Sequence, residues 1–313
     1  MGIDKWLALG QTAAELGLVN ALTVLSLFLS YSMLNVCDLS TDGCFTLGAA
    51  VGTLTAIAGY PWLSLPAAML AGMVSGFVTA TLQTRMGVQS LLAGIVVNTG
   101  LYSVNLALTG NKATLPLNKT TTIFSMAKDL LKDTFLAGQS ALIVMLIVVA
   151  LVVIFLCFFL KTKLGLAIRA TGSNTDMVRS SSINPTFTTT VGLCVSNAFT
   201  GLSGCLMAQQ QKSFDINMGS GMVTVALASL LIGGVFVAKH KRIPLRAVGV
   251  VIGAILFRTV YALALRLNMP AFMLKLVSSV IVVIAISGPY LRQQLPLMVR
   301  RLRMAREGRK DGA

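Results

Sequence analysis

Two short stretches put carboxylates where hydrocarbon is expected. Asp38-Leu-Ser-Thr-Asp42-Gly-Cys44 follows one apolar run, and Phe214-Asp215-Ile-Asn217-Met-Gly219 follows another. A carboxylate near hydrocarbon is costly, so it needs a partner or a task. Two kinds of chemistry are open. Asp38 and Asp215 can cap the helices that follow, accepting hydrogen bonds from free N–H groups. They can also gate or line a polar path for a solute, together with Asp42, Asn217 and Asn98. One residue can do both. Asn98 and Asn105, on a further apolar run, can line a cavity or bridge helices. Arg258 lies deep inside another run and must face protein or water, with Asp38 or Asp215 as natural ion-pair partners.

Other chemistry is excluded by absence. No G-x-x-x-x-G-K-[ST] occurs, so the chain cannot bind and hydrolyse ATP by that route, and no cofactor is expected on it. A single histidine, His240, rules out H-E-x-x-H and multi-histidine metal sites, and no G-x-S-x-G elbow is present. Cys37, Cys44, Cys157, Cys194 and Cys205 sit in or beside apolar segments without a C-x-x-C pair, and read as core-filling thiols.

The elements that must hold these residues are membrane helices. Of 313 residues 55% are hydrophobic and 11% charged, with mean hydropathy +0.82. A soluble chain carries roughly 25% charged residues. The net charge of +15 falls between and after the apolar runs, as expected of cytoplasmic loops and a membrane-facing tail. With no basic module carrying interleaved aromatics, nucleic acid is not an expected partner.

About 20 apolar residues make a span. The candidates are 16–36, 43–60, 62–82, 88–108, 139–160, 187–207, 222–238, 247–266 and 272–288, so nine crossings in an all-α polytopic protein. The first run lacks a basic n-region and a cleavage site and is expected to stay as a span. Residues 1–15 are too short and polar to cross and are expected on the outer surface. With the C-terminus inside, sixteen Lys and Arg face the cytoplasm against seven outside, which favours N-out, C-in.

Asn20–Ser26 reads N-A-L-T-V-L-S and Asn197–Ser203 reads N-A-F-T-G-L-S, identical at five of seven positions. The same offset of 177 carries Asp38 onto Asp215, Gly72 onto Gly249 and Gly76 onto Gly253. Duplication of this kind marks a transport path between two halves. One transmembrane domain over 1–288 then holds repeat 1 (16–108), an outer loop (109–138), a linker helix (139–160), a cytoplasmic segment (161–186) and repeat 2 (187–288). The tail 289–313 is basic. Span 62–82 runs inward and its counterpart 247–266 outward, so the repeats are inverted. Gly48-x-x-x-Gly52, Gly72-x-x-x-Gly76 and Gly249-x-x-x-Gly253 let helices approach closely. Phe124–Phe135, with apolar residues at helical spacing, reads as an amphipathic helix on the outer face.

The stretch Lys161–Pro185 is long and basic, with Gly172-Ser173-Asn174 as a turn and cap before a short helix whose first turn holds Asp176. Two short helices around a capped turn make a docking knob on the inner face.

Several of these motifs, in this order, resemble one family. Asp38-Leu-Ser-Thr-Asp-Gly with Leu47-Gly-Ala-Ala, Leu91-Leu-Ala-Gly-Ile-Val-Val, and Arg169-Ala-Thr-Gly with Asn174 and Asp176-Met-Val-Arg are similar to ABC-importer permeases of the branched-chain amino acid and ribose superfamily. The tryptophan/tyrosine-type branch is nearest, and the likeness runs from about residue 16 to 290. The resemblance implies a homodimeric permease of the bacterial inner membrane, each copy bearing a cytoplasmic ABC ATPase that binds the ATP, with a solute-binding lipoprotein outside. It implies that Gly172–Ile183 is the coupling helix, so that Arg169, Gly172, Ser173, Asn174, Asp176, Met177, Val178 and Arg179 meet the ATPase. Ser173-Asn174-Thr175 stands where relatives often have Asp-Asn-Pro, Ser181-Ser182 where they have Leu-Gly, and Val36-Cys37 where they have Phe-Pro. A matched, divergent ATPase is implied. The cargo implied is an amino acid or similar small solute; an ion-coupled carrier is the alternative.

Overall fold

The apolar runs fold as helices in the computed structural model, which describes residues 3–118, 120–130, 132, 137–237 and 242–266, and isolated positions from 273 to 287. The helices are α1 (Ile3–Leu27), α2 (Thr41–Ile57), α3 (Pro61–Thr84), α4 (Ser90–Leu108), α5 (Ile123–Leu130), α6 (Ser140–Phe159), α7 (Lys163–Ser173), α8 (Thr175–Ser180), α9 (Pro185–Gln211), α10 (Met222–Val237) and α11 (Ile243–Arg266). Among the described residues six segments are long and apolar enough to cross a membrane: Gly10–Met33, α3, α4, α6, α9 and Ile243–Ala264. The protein is an all-helical, polytopic membrane protein. Most of the span expected at 272–288, and the tail 289–313, lie outside the described residues.

Outward faces of α3, α4 and α6 present bare leucine, valine and phenylalanine, such as Leu70, Val74, Leu92, Leu151 and Phe158, which suits hydrocarbon. The interior is more polar. Ser26 and Ser196 share a hydrogen bond (2.8 Å), Thr200 donates to Ser26 (2.8 Å), and Ser203 donates to the Val19 carbonyl (2.7 Å). Numbers fall on one helix as they rise on the other, so α1 and α9 cross antiparallel. The 177 offset turns one pair into the other: 26 becomes 203 and 196 becomes 19. The two copies of the repeated motif therefore pack against each other.

The first helix of each repeat packs into the other repeat. α9 lies between α2 and α3, and α1 packs on α11 and α10. Along α2 and α9, Cys44 meets Asn197 and Gly52 meets Cys205, a parallel seam. Along α3 and α9, Ser64 meets Cys205 and Gly76 meets Leu193, an antiparallel one. Close approach makes glycine obligatory at several places on these seams; for example, a Cβ on Gly48 would stand 2.1 Å from the Gly201 oxygen, and one on Gly72 would stand 2.2 Å from the Asn197 oxygen.

Three departures from the sequence reading stand out. Residues 3–15 are not a separate surface element but the start of α1. Two of its polar side chains find partners there: Gln11 donates to the Gly138 carbonyl (2.9 Å), and Glu15 accepts from Gln210 (3.2 Å) at the end of α9. The loop 109–138 carries a strand as well as a helix. Thr114–Pro116 (β1) pairs antiparallel with Ser213–Asp215 (β2), and α5 covers Ile123–Leu130, while most of the rest of the expected amphipathic helix, to 135, lies outside the described residues. Thr122 and Ser125 cap α5 reciprocally, while Ile123 N–H donates to Gln209 (3.0 Å). Last, α2 starts beside Asn197, near the middle of α9. At 1.5 Å per residue α9 is about 40 Å long, so the first break lies about 20 Å from either end of that helix.

Candidate functional site

The break between α1 and α2 begins with a π-helical turn at Phe28–Met33, followed by Asn35 at φ 57°. The chain then climbs back to mid-depth, where Asp38 is 1% exposed. Its carboxylate accepts from Ser40 N–H (2.8 Å), Ser40 Oγ (2.6 Å) and Asn197 Nδ2 (2.7 Å). Thr79 on α3 donates to the same Ser40 hydroxyl (3.2 Å). Asp38 thus ties the break to both α9 and α3.

The expectation that Asp38 and Asp215 cap the helices after them is corrected. Ser40 occupies the N-cap of α2 without a side-chain cap bond, and Asp38 instead closes a turn on Ser40. Asp215 closes the equivalent turn on Asn217 N–H (2.7 Å), within the strand clasp. The cap of α10 comes from across the molecule. Asp42, in the first turn of α2, accepts from Gly221 N–H (2.9 Å) and Val223 N–H (2.8 Å). One carboxylate therefore sits at the positive ends of two short helices, a favourable place for negative charge. The physical reason for the mismatch is an insertion: α2 and α10 start 181 residues apart (222 − 41), four more than the repeat offset of 177.

Of the residues expected on the path, Asp38, Asp42 and Asn98 meet around the start of α2. Asn98 lies against Gly43, and Asn105 donates to the Gly43 carbonyl (3.2 Å), so both asparagines bridge α4 to α2. Asp215 and Asn217 stand apart, in the turn that leads to Gly219, which lies against the Asp42 carbonyl. Arg258 does not pair with Asp38 or Asp215. Its guanidinium lies over the Tyr261 ring at 5.3 Å, while Asp38 accepts from Ser40 and Asn197 and Asp215 sits in the strand clasp.

Replacing Asp42 with alanine is expected to strip the cap from α10. Loss of a cap with charge-assisted bonds costs about 2 kcal/mol. The unfolding temperature in detergent should drop by several degrees, with Asp42→Asn intermediate. An unchanged melt would show that α10 needs no partner at its start.

The stretch from Lys163 to Ser180 carries the second feature. α7 and α8 are separated by Asn174, whose side chain accepts from Asp176 N–H and Met177 N–H (both 3.0 Å). Asp176, Met177 and Arg179 are exposed and Val178 is fully buried beneath them. Ser173 is exposed too, and Arg169 is half-buried. Gly172 abuts the backbone of Met33 and Leu34, where the first break begins. The capped two-helix knob expected from the sequence is thus seated at the C-terminal end of α1.

The family model described as branched-chain amino acid transport system / permease component matches residues 12–286. The chain belongs to that family. It is 32% identical to a tyrosine transport system permease protein of Clostridioides difficile, over 85% of this chain and 86% of the relative. It is 28% identical to the D-allose transport system permease protein AlsC of Escherichia coli, over 71% of this chain and 65% of that one. No solved structure matches it significantly. As a permease component it is a multi-pass protein of the bacterial inner membrane and not itself an enzyme.

Sequence reasoning on this permease missed Asn197 as the partner of Asp38, although Asn197 opens the repeated motif. It also missed Asn20, the counterpart of Asn197 on α1. Both polar ends of the Asn20 amide are buried without a partner among the described residues. Gln209 was missed as well; it donates to Ser64 (2.7 Å) while accepting from α5.

Proposed function

We propose that this permease is the membrane subunit of an ATP-driven importer for an amino acid or similar small solute. The reading is carried by one observation, the capped α7–α8 knob with Gly172 packed on the first break. Force applied to Asp176, Met177 and Arg179 would pass through α7 to Met33 and Leu34, and so to the chain that holds Asp38. A cytoplasmic ABC ATPase would seat on the knob and supply the ATP, leaving the permease without a cofactor of its own. A solute-binding lipoprotein outside would deliver the cargo, and a second permease copy would complete a homodimer.

The antiparallel crossing of α1 and α9 supports inverted repeats, while the apolar runs and the Lys and Arg bias favour nine crossings, N-out and C-in. Exchange of conformations between such halves would open the path alternately to each side. The solute would pass Asp38, Asp42 and Asn98, with Asp215 and Asn217 at the approach to them. The relative that transports tyrosine favours an aromatic or related amino acid. An ion-coupled carrier finds less support, because Asp38 is sequestered and already accepts three hydrogen bonds.

The test is co-purification. The chain tagged in its native operon is expected to retain a P-loop ATPase on gentle solubilisation. Asp176→Lys combined with Arg179→Glu should lose it and with it ATP-dependent uptake. A chain that purifies alone and moves solute without ATP would overturn the importer reading.

A further inference from the structure

Between the inner end of α1, the end of α7 and the start of α11 lies a cavity of about 550 Å³, lined by Ser32, Asn35, Arg169, Ser173 and Arg246, with Leu166 as an apolar wall. Arg246 is held in place: it donates to Ser32 Oγ (2.9 Å) and lies over the Phe28 ring at 5.5 Å. Neither arginine has a carboxylate partner among the described residues, whose one ion pair is Lys132–Asp129. Two guanidinium groups facing one cavity repel each other unless an anion stands between them. Their planar forks match phosphate oxygens better than any point charge does.

We propose that this cavity binds the phosphodiester of an acidic phospholipid. The apolar surroundings argue for lipid over a free anion. Leu166 lines the cavity and is 60% exposed, and Leu245 and Val248, beside Arg246 on α11, are also bare. An acyl chain can lie along these while the headgroup meets the arginines. Basic pockets at the inner end of membrane helices are suited to such headgroups. The site would join α7 to α1 and α11, so that bound lipid stiffens the link between the knob and both halves. The inference does not depend on the importer reading.

Thermal unfolding of the full-length chain, with any subunits that accompany it, tests the site. The probes are phosphatidylglycerol vesicles, phosphatidylcholine vesicles and inorganic phosphate. Phosphatidylglycerol should raise the wild-type midpoint by about 5–10 °C, and phosphatidylcholine should not. Arg169→Gln with Arg246→Gln should remove most of that shift, while Arg85→Gln, at an exposed arginine elsewhere on the inner side, should keep it. Should the double variant fail to fold, Arg246→Lys retains the charge without the fork and is expected to lose a large part of the shift. An equal shift in the arginine variants would overturn the proposal. So would an equal shift from inorganic phosphate, which would assign the cavity to a free anion. Loss of an accompanying subunit without any change in the lipid effect would overturn it in favour of a protein contact.

Discussion

Asp38→Ala is expected to give a permease that melts far below wild type and moves no measurable solute. The variant deletes the acceptor for Ser40 N–H, Ser40 Oγ and Asn197 Nδ2 at once. Asn197 is fully buried and its Oδ1 already lacks a partner, so its whole amide would be orphaned. Each buried polar group left unsatisfied costs about 1–3 kcal/mol, so the sum is on the order of 4 kcal/mol. The damage would spread to Thr79 on α3, which shares Ser40 with Asp38. Asp38→Asn keeps the shape and one good acceptor and should recover part of the loss. The checks are thermal unfolding in detergent and uptake by vesicles. Wild-type melting and uptake in Asp38→Ala would show that the buried carboxylate does not hold the break.

Gly48→Val and Gly72→Val are expected to prevent correct assembly altogether. The new Cβ atoms would press on the backbone oxygens of Gly201 and Asn197, and a backbone cannot rotate away as a side chain can. Ordinary overpacking costs about 1–3 kcal/mol. Here whole helices would have to separate, so little monodisperse protein should survive extraction. Gly100→Ala is the control. Nothing lies within 4 Å of its would-be Cβ, and alanine is the better helix former. Should Gly48→Val extract as well as Gly100→Ala, the seam is looser than its geometry states.

Much of this architecture is legible in the chain because length and hydropathy are strong signals in a membrane. The start of α3 at Pro61 and the limits of α6 lie within a residue or two of the predicted spans. The knob is legible for a different reason: Asn174 followed by Asp176 is local capping chemistry, settled by neighbours in sequence. Long-range pairing is not. Nothing in the sequence tells Asp42 from Asp38 as the cap of α10, because the partners lie 179 residues or more away. The offset that aligns Asn20 with Asn197 misleads at Asp215, where four inserted residues break the correspondence. The polar start of α1 fails for a related reason, since Gln11 and Glu15 find distant partners that composition cannot reveal.

The placement of α9 inside the first repeat has a consequence for synthesis. α2 and α3 leave the ribosome with their glycine faces uncovered, and the helix that covers them arrives about 120 residues later. At 5–20 residues per second that interval is roughly 6–24 s. Throughout it the first half sits in the bilayer without its central helix, held open by a partner not yet made. The permease is therefore not two modules joined by a linker. It is one object whose first half becomes stable only after about two-thirds of the chain has been translated.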